Sequence, residues 1–375
     1  MGGPASYPDG VGMESGASPR VPAVGRAFHV MSDIAVHGPA TLSELSRRLS
    51  LPKSSLLGIC QALVDQRLLT ATDGNYGLGL AIVELAAAYG RQPVRMSRVG
   101  VCVQNLDNPF FVAEIAAVRA AAAAQAVEVD IRDARQSLRR QAEQIDDLVA
   151  DGVQALLLDS VDSVGIGPAV ARSKDSGVPV VALNVGAEGA DATVTTDNVA
   201  AGAMVGRYLA AAIGGRGRVA IVDGTFVTAT ADRVAGFVSA LREYPDIEIV
   251  TRQRGDHSEA SGRKLARRIL AEHGPIDGFF GINDPTALGV LKAVEEAGLP
   301  IPIVSVDGSQ RAAAVLARGE GLIATAAQDP AEMARVGLSV AADIHTGLAP
   351  ASRLRLLPPR LITPDAADYV PWDAE

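Results

Sequence analysis

Apolar positions along this chain recur at two different periods, and the change falls near residue 98. From 22 to 37, PAVGRAFHVMSDIAVH, residues Val24, Ala27, Phe28, Met31 and Ile34 repeat at helical spacing until Gly38-Pro39 ends the pattern. Thr41-Leu42-Ser43-Glu44 has the form of a capping box, in which the threonine oxygen serves an early backbone N–H and the glutamate reaches back. Leu42, Leu45 and Leu49 give the short helix that follows its apolar face. Leu51-Pro52-Lys53-Ser54-Ser55 then predicts a tight turn with Ser54 as N-cap, leading into a third helix with Leu56, Ile59, Leu63 and Val64 inward. Two short runs, 68–71 and 76–80, flank Thr72-Asp73-Gly74-Asn75 and predict a hairpin across an Asp-Gly turn, with a further helical piece at 82–89.

From Arg98 the period shortens. Val99, Val101 and Val103 make a β-branched run suited to a buried strand, Gln104–Asp107 breaks it, and Asn108-Pro109-Phe110-Phe111 opens an alanine-rich helical segment. Strand-then-helix repeats from there. Candidate strands lie at 99–104, 127–131, 154–158, 179–183, 192–195, 217–222, 247–251, 277–281 and 302–306. The alternation predicts an α/β fold of parallel β-α-β units wound into two lobes, behind a smaller helical head. Open α/β sheets hold ligands beyond the carboxyl ends of their strands, so side chains at those ends become the candidates for chemistry.

Composition narrows the function classes. A length of 375 residues calls for more than one core. The first twenty residues are rich in Gly, Pro and Ser and lack both a basic start and an apolar h-region, so they read as a disordered tail and not as a secretory signal. Net charge is −9, yet residues 20–95 carry eight Lys/Arg against five Asp/Glu, a basic module on an acidic body. The two cysteines, Cys60 and Cys102, each sit in an apolar pattern and read as buried free thiols of a reducing cytoplasm. No Gly-x-Ser-x-Gly, P-loop or metal-ligand cluster occurs, and five histidines are scattered at 29, 37, 257, 273 and 345. Asp223-Gly224-Thr225 is explained by a strand-end turn. No catalytic residue, metal or cofactor is therefore expected.

Three helices and a hairpin in about seventy residues make a winged helix-turn-helix. Arg26-Ala27, Thr41-Leu-Ser-Glu-Leu-Ser, Leu51-Pro-Lys-Ser-Ser and Asn75-Tyr-Gly-Leu-Gly resemble the N-terminal module of IclR-type transcription regulators over roughly Val21–Gly90. The resemblance implies operator DNA as a partner, with the third helix in the major groove and the wing near the backbone. Lys53, Ser54, Ser55 and Gln61 are then the base-edge candidates, and Arg47, Arg48 and Arg67 the phosphate candidates. Where the family usually shows a polar or basic pair early in this helix, the chain has Leu57-Gly58. The alternative is a module that dimerises or docks a partner without touching DNA.

The second part resembles the periplasmic sugar-binding protein superfamily, ribose-binding members and lactose-repressor-type effector domains in particular. The motifs are Asn108-Pro-Phe-Phe, Asp197-Asn198, Asp232-Arg-Val-Ala-Gly-Phe, Asn283-Asp284 and Val304-Ser-Val-Asp-Gly308, in that order over about Arg98–Pro364. The expected domains are a tail at 1–20, a DNA-binding head at 21–90, a linker at 91–97 and a sensor at 98–365. Lobe 1 of the sensor takes 98–196 and 329–357, and lobe 2 takes 197–327 and 358–365. The resemblance implies a sugar or polyol gripped by Asn108, Phe110, Phe111 and Asn184 from lobe 1. From lobe 2 and the crossovers come Arg233, His257, Asn283, Asp307 and Gln328. These residue types suit a sugar, because rings cover C–H faces and planar groups bridge vicinal hydroxyls.

Each also has a plainer reading. Asn108 caps the Pro109 helix, one of the two phenylalanines is core, His257 is a satisfied histidine, Arg233 pairs with Asp232 or Asp223 at the surface, and Asp307 is a turn residue. Ribose-like relatives carry Asp-Arg where this chain has Asn184-Val185, which leaves a pentose, a deoxysugar or a sugar alcohol as open as ribose. The leading function is a cytoplasmic, homodimeric, sugar-responsive transcription regulator, with no membrane partner, whose lobes close on the effector. The alternative is a transporter's solute-binding protein, which would need an export signal or lipid-anchored cysteine near residue 1.

Overall fold

The computed structural model describes residues 22–89, 96–350, 352–366 and 368–373. The tail at 1–20 and residues 91–95 of the expected linker lie outside the described residues. The chain divides into two compact units, Met1–Val94 and Arg95–Glu375.

The head runs α1 (Pro22–His37), β1 (Ala40–Thr41), α2 (Leu42–Leu49), α3 (Lys53–Asp65), β2 (Leu69–Thr72), β3 (Asn75–Leu78) and α4 (Leu80–Tyr89). The capping box is realised: the Glu44 N–H donates to Thr41 Oγ1, and the Thr41 N–H donates to Glu44 Oε2 at 2.8 Å. Val30, Ile34, Leu45, Leu56, Cys60, Leu63 and Leu69 form the core, while Val24 and Phe28, on the expected face of α1, are 66% and 63% exposed. The antiparallel β2–β3 hairpin turns at Asp73-Gly74, and β1 adds to β3. Ser54 is not the N-cap of α3. The helix starts at Lys53, directly after Pro52 (φ −59°), and the Pro52 carbonyl accepts from the Ser55 and Leu56 N–H groups, so Ser54 lies inside the first turn.

The sensor follows as β4 (Arg98–Val103), α5 (Pro109–Ala123), β5 (Glu128–Asp133), α6 (Leu138–Ala150), β6 (Leu156–Leu158), α7 (Gly167–Asp175), β7 (Val180–Leu183) and β8 (Ala192–Thr196). Then come α8 (Asn198–Ala212), β9 (Arg216–Asp223), α9 (Thr228–Leu241), β10 (Asp246–Arg254), α10 (Glu259–Glu272), β11 (Gly278–Gly281) and α11 (Asp284–Glu296). The chain closes with β12 (Ile303–Asp307), α12 (Gln310–Arg318), β13 (Leu322–Ala327), α13 (Pro330–His345), β14 (Leu354–Leu357) and β15 (Arg360–Ile362).

Two six-stranded sheets result. One is all parallel in the order β14-β8-β7-β6-β4-β5; the other runs β10-β9-β11-β12-β13-β15, with only β15 antiparallel. Apolar clusters cover both faces of each sheet, which is why β6 (LLL) and β7 (VVAL) read as unbroken apolar runs. The chain crosses between lobes at 196–197, 328–329 and 357–360. Two bonds tie these crossings together: Thr196 Oγ1 to Gln328 Oε1 at 2.8 Å, and the Asp197 N–H to the Leu357 carbonyl at 2.8 Å. In lobe 2, Gly202 and Gly236 let α8 and α9 touch backbone to backbone. A Cβ on Gly202 would collide with the Arg233 carbonyl, and one on Gly236 with the Val199 carbonyl. That contact holds Arg233 against Asn198.

Candidate functional site

Strand ends build the site. Beyond β4, Asn105 Oδ1 accepts the N–H groups of Asp107 and Asn108, and Asn108 Oδ1 accepts that of Phe110 at 3.0 Å, so Asn108 does cap α5 with Pro109 in its first turn. Phe110 and Phe111 are edge-to-face at 5.7 Å; both are buried in the lobe 1 core and both line the cleft, so the expected division of labour between them does not hold. Beyond β7, Asn184 adopts φ 56°, a left-handed conformation that asparagine takes more readily than other non-glycine residues.

In lobe 2 the Arg233 guanidinium is buried. Its Nε donates to Asn198 Oδ1 at 2.8 Å, its Nη1 to the Ile282 carbonyl at 3.1 Å, and Nη1 lies 3.6 Å from Asp307 Oδ1. The surface pairing with Asp232 or Asp223 does not occur; Arg252 holds Asp223 instead. Asp307 also accepts from Gln328 Nε2 at 2.9 Å and from the Asp284 N–H, and is no mere turn residue. Burial drives its carboxyl up to about 7 against the pull of Arg233. Asp284, raised by burial too, is satisfied by Ser305, Ser309 and Thr325. Asn283 caps α11 through Thr286 and donates to the His257 carbonyl at 3.3 Å.

His257 has φ 70°, and its Nε2 accepts the Thr225 N–H at 2.8 Å, which places the proton of the neutral ring on Nδ1. Burial, then Arg233, pushes its pKa down to about 4.

All nine residues singled out for the ligand line one cavity of about 30 Å³ between the lobes. Gln104, Val185, Val227, Ala229 and Thr230 line it as well. That volume takes one or two waters and is too small for a sugar ring. A mouth of about 500 Å³ adjoins it, sharing Asn108 and His257. Two further features went unread in the sequence. Trp372 stacks edge-on to Phe110 at 5.8 Å while its Nε1 donates to the Asp307 carbonyl at 2.8 Å, so it touches both lobes. Behind Asn184 lie two buried carboxyls, Glu114 and Asp159. Among the described residues no group of three or more His, Cys, Asp or Glu could hold a metal, and no helix is long and apolar enough to cross a membrane.

On the head, Arg47, Lys53, Ser54 and Gln61 are exposed beside Leu57 and Gly58, with Ser55 half-buried. Arg48 instead binds the buried Asp33 at 2.7 Å, and Arg67 binds Glu84 at 2.6 Å, so both phosphate candidates already have carboxylate partners.

Comparisons with known proteins divide the chain at the same place. The family described as periplasmic binding protein domain matches residues 99–349, and the IclR helix-turn-helix domain matches residues 23–73. The ribose import binding protein RbsB of Bacillus subtilis (strain 168) is 32% identical over 252 residues, 66% of this chain and 82% of that protein. The xylitol-binding protein of Mycolicibacterium smegmatis (strain ATCC 700084 / mc(2)155) is 30% identical over 276 residues, 72% and 78% of the two chains. A solved ABC transporter solute binding protein from Mycobacterium smegmatis with bound glycerol superposes with a TM-score of 0.70 at 27% identity, covering 72% of this chain and 96% of that one.

Proposed function

The chain belongs to the periplasmic binding protein domain family and carries an IclR helix-turn-helix domain, and from this premise we propose that it is a transcription regulator governed by a small neutral sugar or polyol. The observation that carries the reading is the fusion itself: a DNA-binding type of head precedes a sensor whose two lobes face each other with complementary halves of a polyol site. Lobe 1 offers Asn108, Asn184 and two phenylalanine rings; lobe 2 offers Arg233, Asn283 and Asp307. Ribose, xylitol and glycerol, named for the similar proteins, are small, neutral and rich in hydroxyls, which supports that class of effector. Binding closes the lobes about the crossovers near Thr196, Gln328 and Leu357, a hinge motion. In a cytoplasmic homodimer this closure changes operator affinity, and DNA must change effector affinity by the same factor. A solute-binding protein of a transporter accounts for residues 99–349 and leaves the head without a role.

The test is a thermal-shift panel of pentoses, hexoses and polyols on the full chain, repeated with Arg233→Ala and Asp307→Ala. A ligand at a hundred times its Kd adds roughly 2.7 kcal/mol of stability. A panel without a hit, or a hit that both variants retain, refutes the pocket. Gel shift with the DNA upstream of the coding sequence tests the head, and binding that survives deletion of residues 1–90 refutes its assignment.

A further inference from the structure

Lobe 2 satisfies its buried charges: Asp284 takes three hydroxyls, and Asp307 takes Arg233 and Gln328. Lobe 1 does not. Glu114, on the inner face of α5, and Asp159, just past β6, are each 1% exposed, and none of their four carboxylate oxygens receives a hydrogen bond from a described residue. Among the described residues neither forms an ion pair with an arginine, lysine or histidine. The two carboxyls bear directly on one another, and Asn184 lies against Asp159 with its own Oδ1 buried and without a donor. Two touching carboxylates in a low-dielectric interior, with no cation at hand, cannot both stay ionised; one proton shared between them removes the repulsion and supplies the missing donor.

Resting on the sugar-site reading above, we propose that Glu114 is a positioning residue for effector recognition: as a neutral acid it donates to Asp159, and Asp159 so fixed holds the Asn184 carboxamide at the lobe 1 wall. Asn184 Oδ1, which no described residue supplies with a hydrogen, is then left as an acceptor for the effector. Lobe 1 therefore takes a hydroxyl hydrogen from the effector, while Arg233 of lobe 2 gives hydrogens to it. The directions of titration agree. Burial pushes Asp159 up to about 7, opposed by Glu114 and Asn184, and burial followed by Asp159 pushes Glu114 well above the usual range. Among the described residues, the Cys102 thiol on β4 also feels Asp159, although burial is the larger cause of its raised pKa.

The experiment uses the full chain, D-ribose and xylitol as probes, and the fluorescence of the single tryptophan, Trp372, as readout. Glu114→Gln, which can still donate to Asp159, should keep Kd within about twofold. Glu114→Leu, of similar bulk but without a donor, should weaken Kd about tenfold, the scale of one lost hydrogen bond, without lowering Tm. A purely structural glutamate would move Tm and Kd together. A ligand-free arm tests the proton: the folded chain holds it where the unfolded chain does not, so Tm should fall between pH 5 and 8, less steeply in Glu114→Gln. Unchanged affinity in Glu114→Leu, equal losses in both variants, or an unaltered pH profile in Glu114→Gln overturns the proposal. If neither probe nor any other sugar or polyol of the panel binds the wild type, the sugar reading falls and takes the positioning role with it, while the pH profile alone still judges the shared proton.

Discussion

Replacing Arg233 with methionine should cost the sensor about 3 kcal/mol at pH 7. The substitution keeps the aliphatic bulk and deletes the guanidinium. Asn198 Oδ1 and the Ile282 carbonyl lose their donors, and Asp307 loses its counter-ion beside a second buried carboxyl, Asp284. Orphaning one member of a buried pair costs about 3–5 kcal/mol. The lower end applies because Asp307, already pushed up to about 7, can neutralise itself with a proton. For a domain of this size, 1 kcal/mol moves Tm by roughly 2–4 °C, so a fall of about 6–12 °C is expected by calorimetry. The loss must shrink toward pH 5, where the orphaned carboxyl takes up its proton cheaply. Asp307→Asn added to Arg233→Met should restore most of the stability, because the remaining buried group is neutral. Urea unfolding followed by Trp372 fluorescence gives the same double-mutant cycle independently. A loss under 1 kcal/mol, or a double variant no better than the single, refutes the claim that Arg233 stabilises through Asp307.

Three further outcomes follow from the same geometry. Asp159 and Asp307 both titrate near 7 in the fold and near 4 in the unfolded chain, so their contribution is complete below about pH 4 and is lost as pH rises toward 7; His257, at about 4 against 6.5, loses stability in the opposite direction. His257→Phe should therefore steepen the fall of Tm with rising pH between 4 and 6.5, and an unchanged slope would refute the neutral histidine. Gly202→Ala drives a methyl into the Arg233 carbonyl and should cost about 3 kcal/mol, the top of the overpacking range, read as a lower Tm and a weaker sugar shift. Arg47→Ala should lower the salt slope of DNA binding by about one, whereas Arg48→Ala, which leaves the buried Asp33 with only His37 beside it, should act mainly on the head's thermal stability.

The periodicity of the sequence carries most of the fold, and the exceptions have identifiable causes. The nine strands read from the alternation of short apolar runs with helical segments are present, while β13, β14 and β15 are not marked in that way. Strand β13 is LIATAA, where alanine gives no β signal and burial among neighbours decides the conformation. Strands β14 and β15 lie at sheet edges, with arginines and Pro358-Pro359 in place of alternation. Trp372 lies beyond the expected end of the sensor at 365, and its contacts reach back to Phe110 and Asp307, far away in the chain, which no local pattern reveals.

Glu114 is different, because its signal is present in the sequence. Phe110, Phe111, Ile115 and Val118 define the inward stripe of α5, and position 114 falls on that stripe at four residues from Phe110 and three from Phe111. An acid at an apolar position of a buried helix has to be neutral, paired or solvated. Among the described residues no cation pairs with it; the end of β6 brings Asp159 to it, and the end of β7 sets Asn184 against Asp159. The same strand-end logic that gathers the nine cleft residues thus also gathers a set of acceptors behind them. The two lobes are chemically unequal as a result: the wall at Arg233 arrives with its charges matched, and the wall at Asn184 arrives short of a hydrogen. On the proposed sugar reading, a hydroxyl-bearing effector between them would donate to lobe 1 and accept from lobe 2 at once. Closure on such an effector would then carry a direction-specific reward that no single lobe supplies.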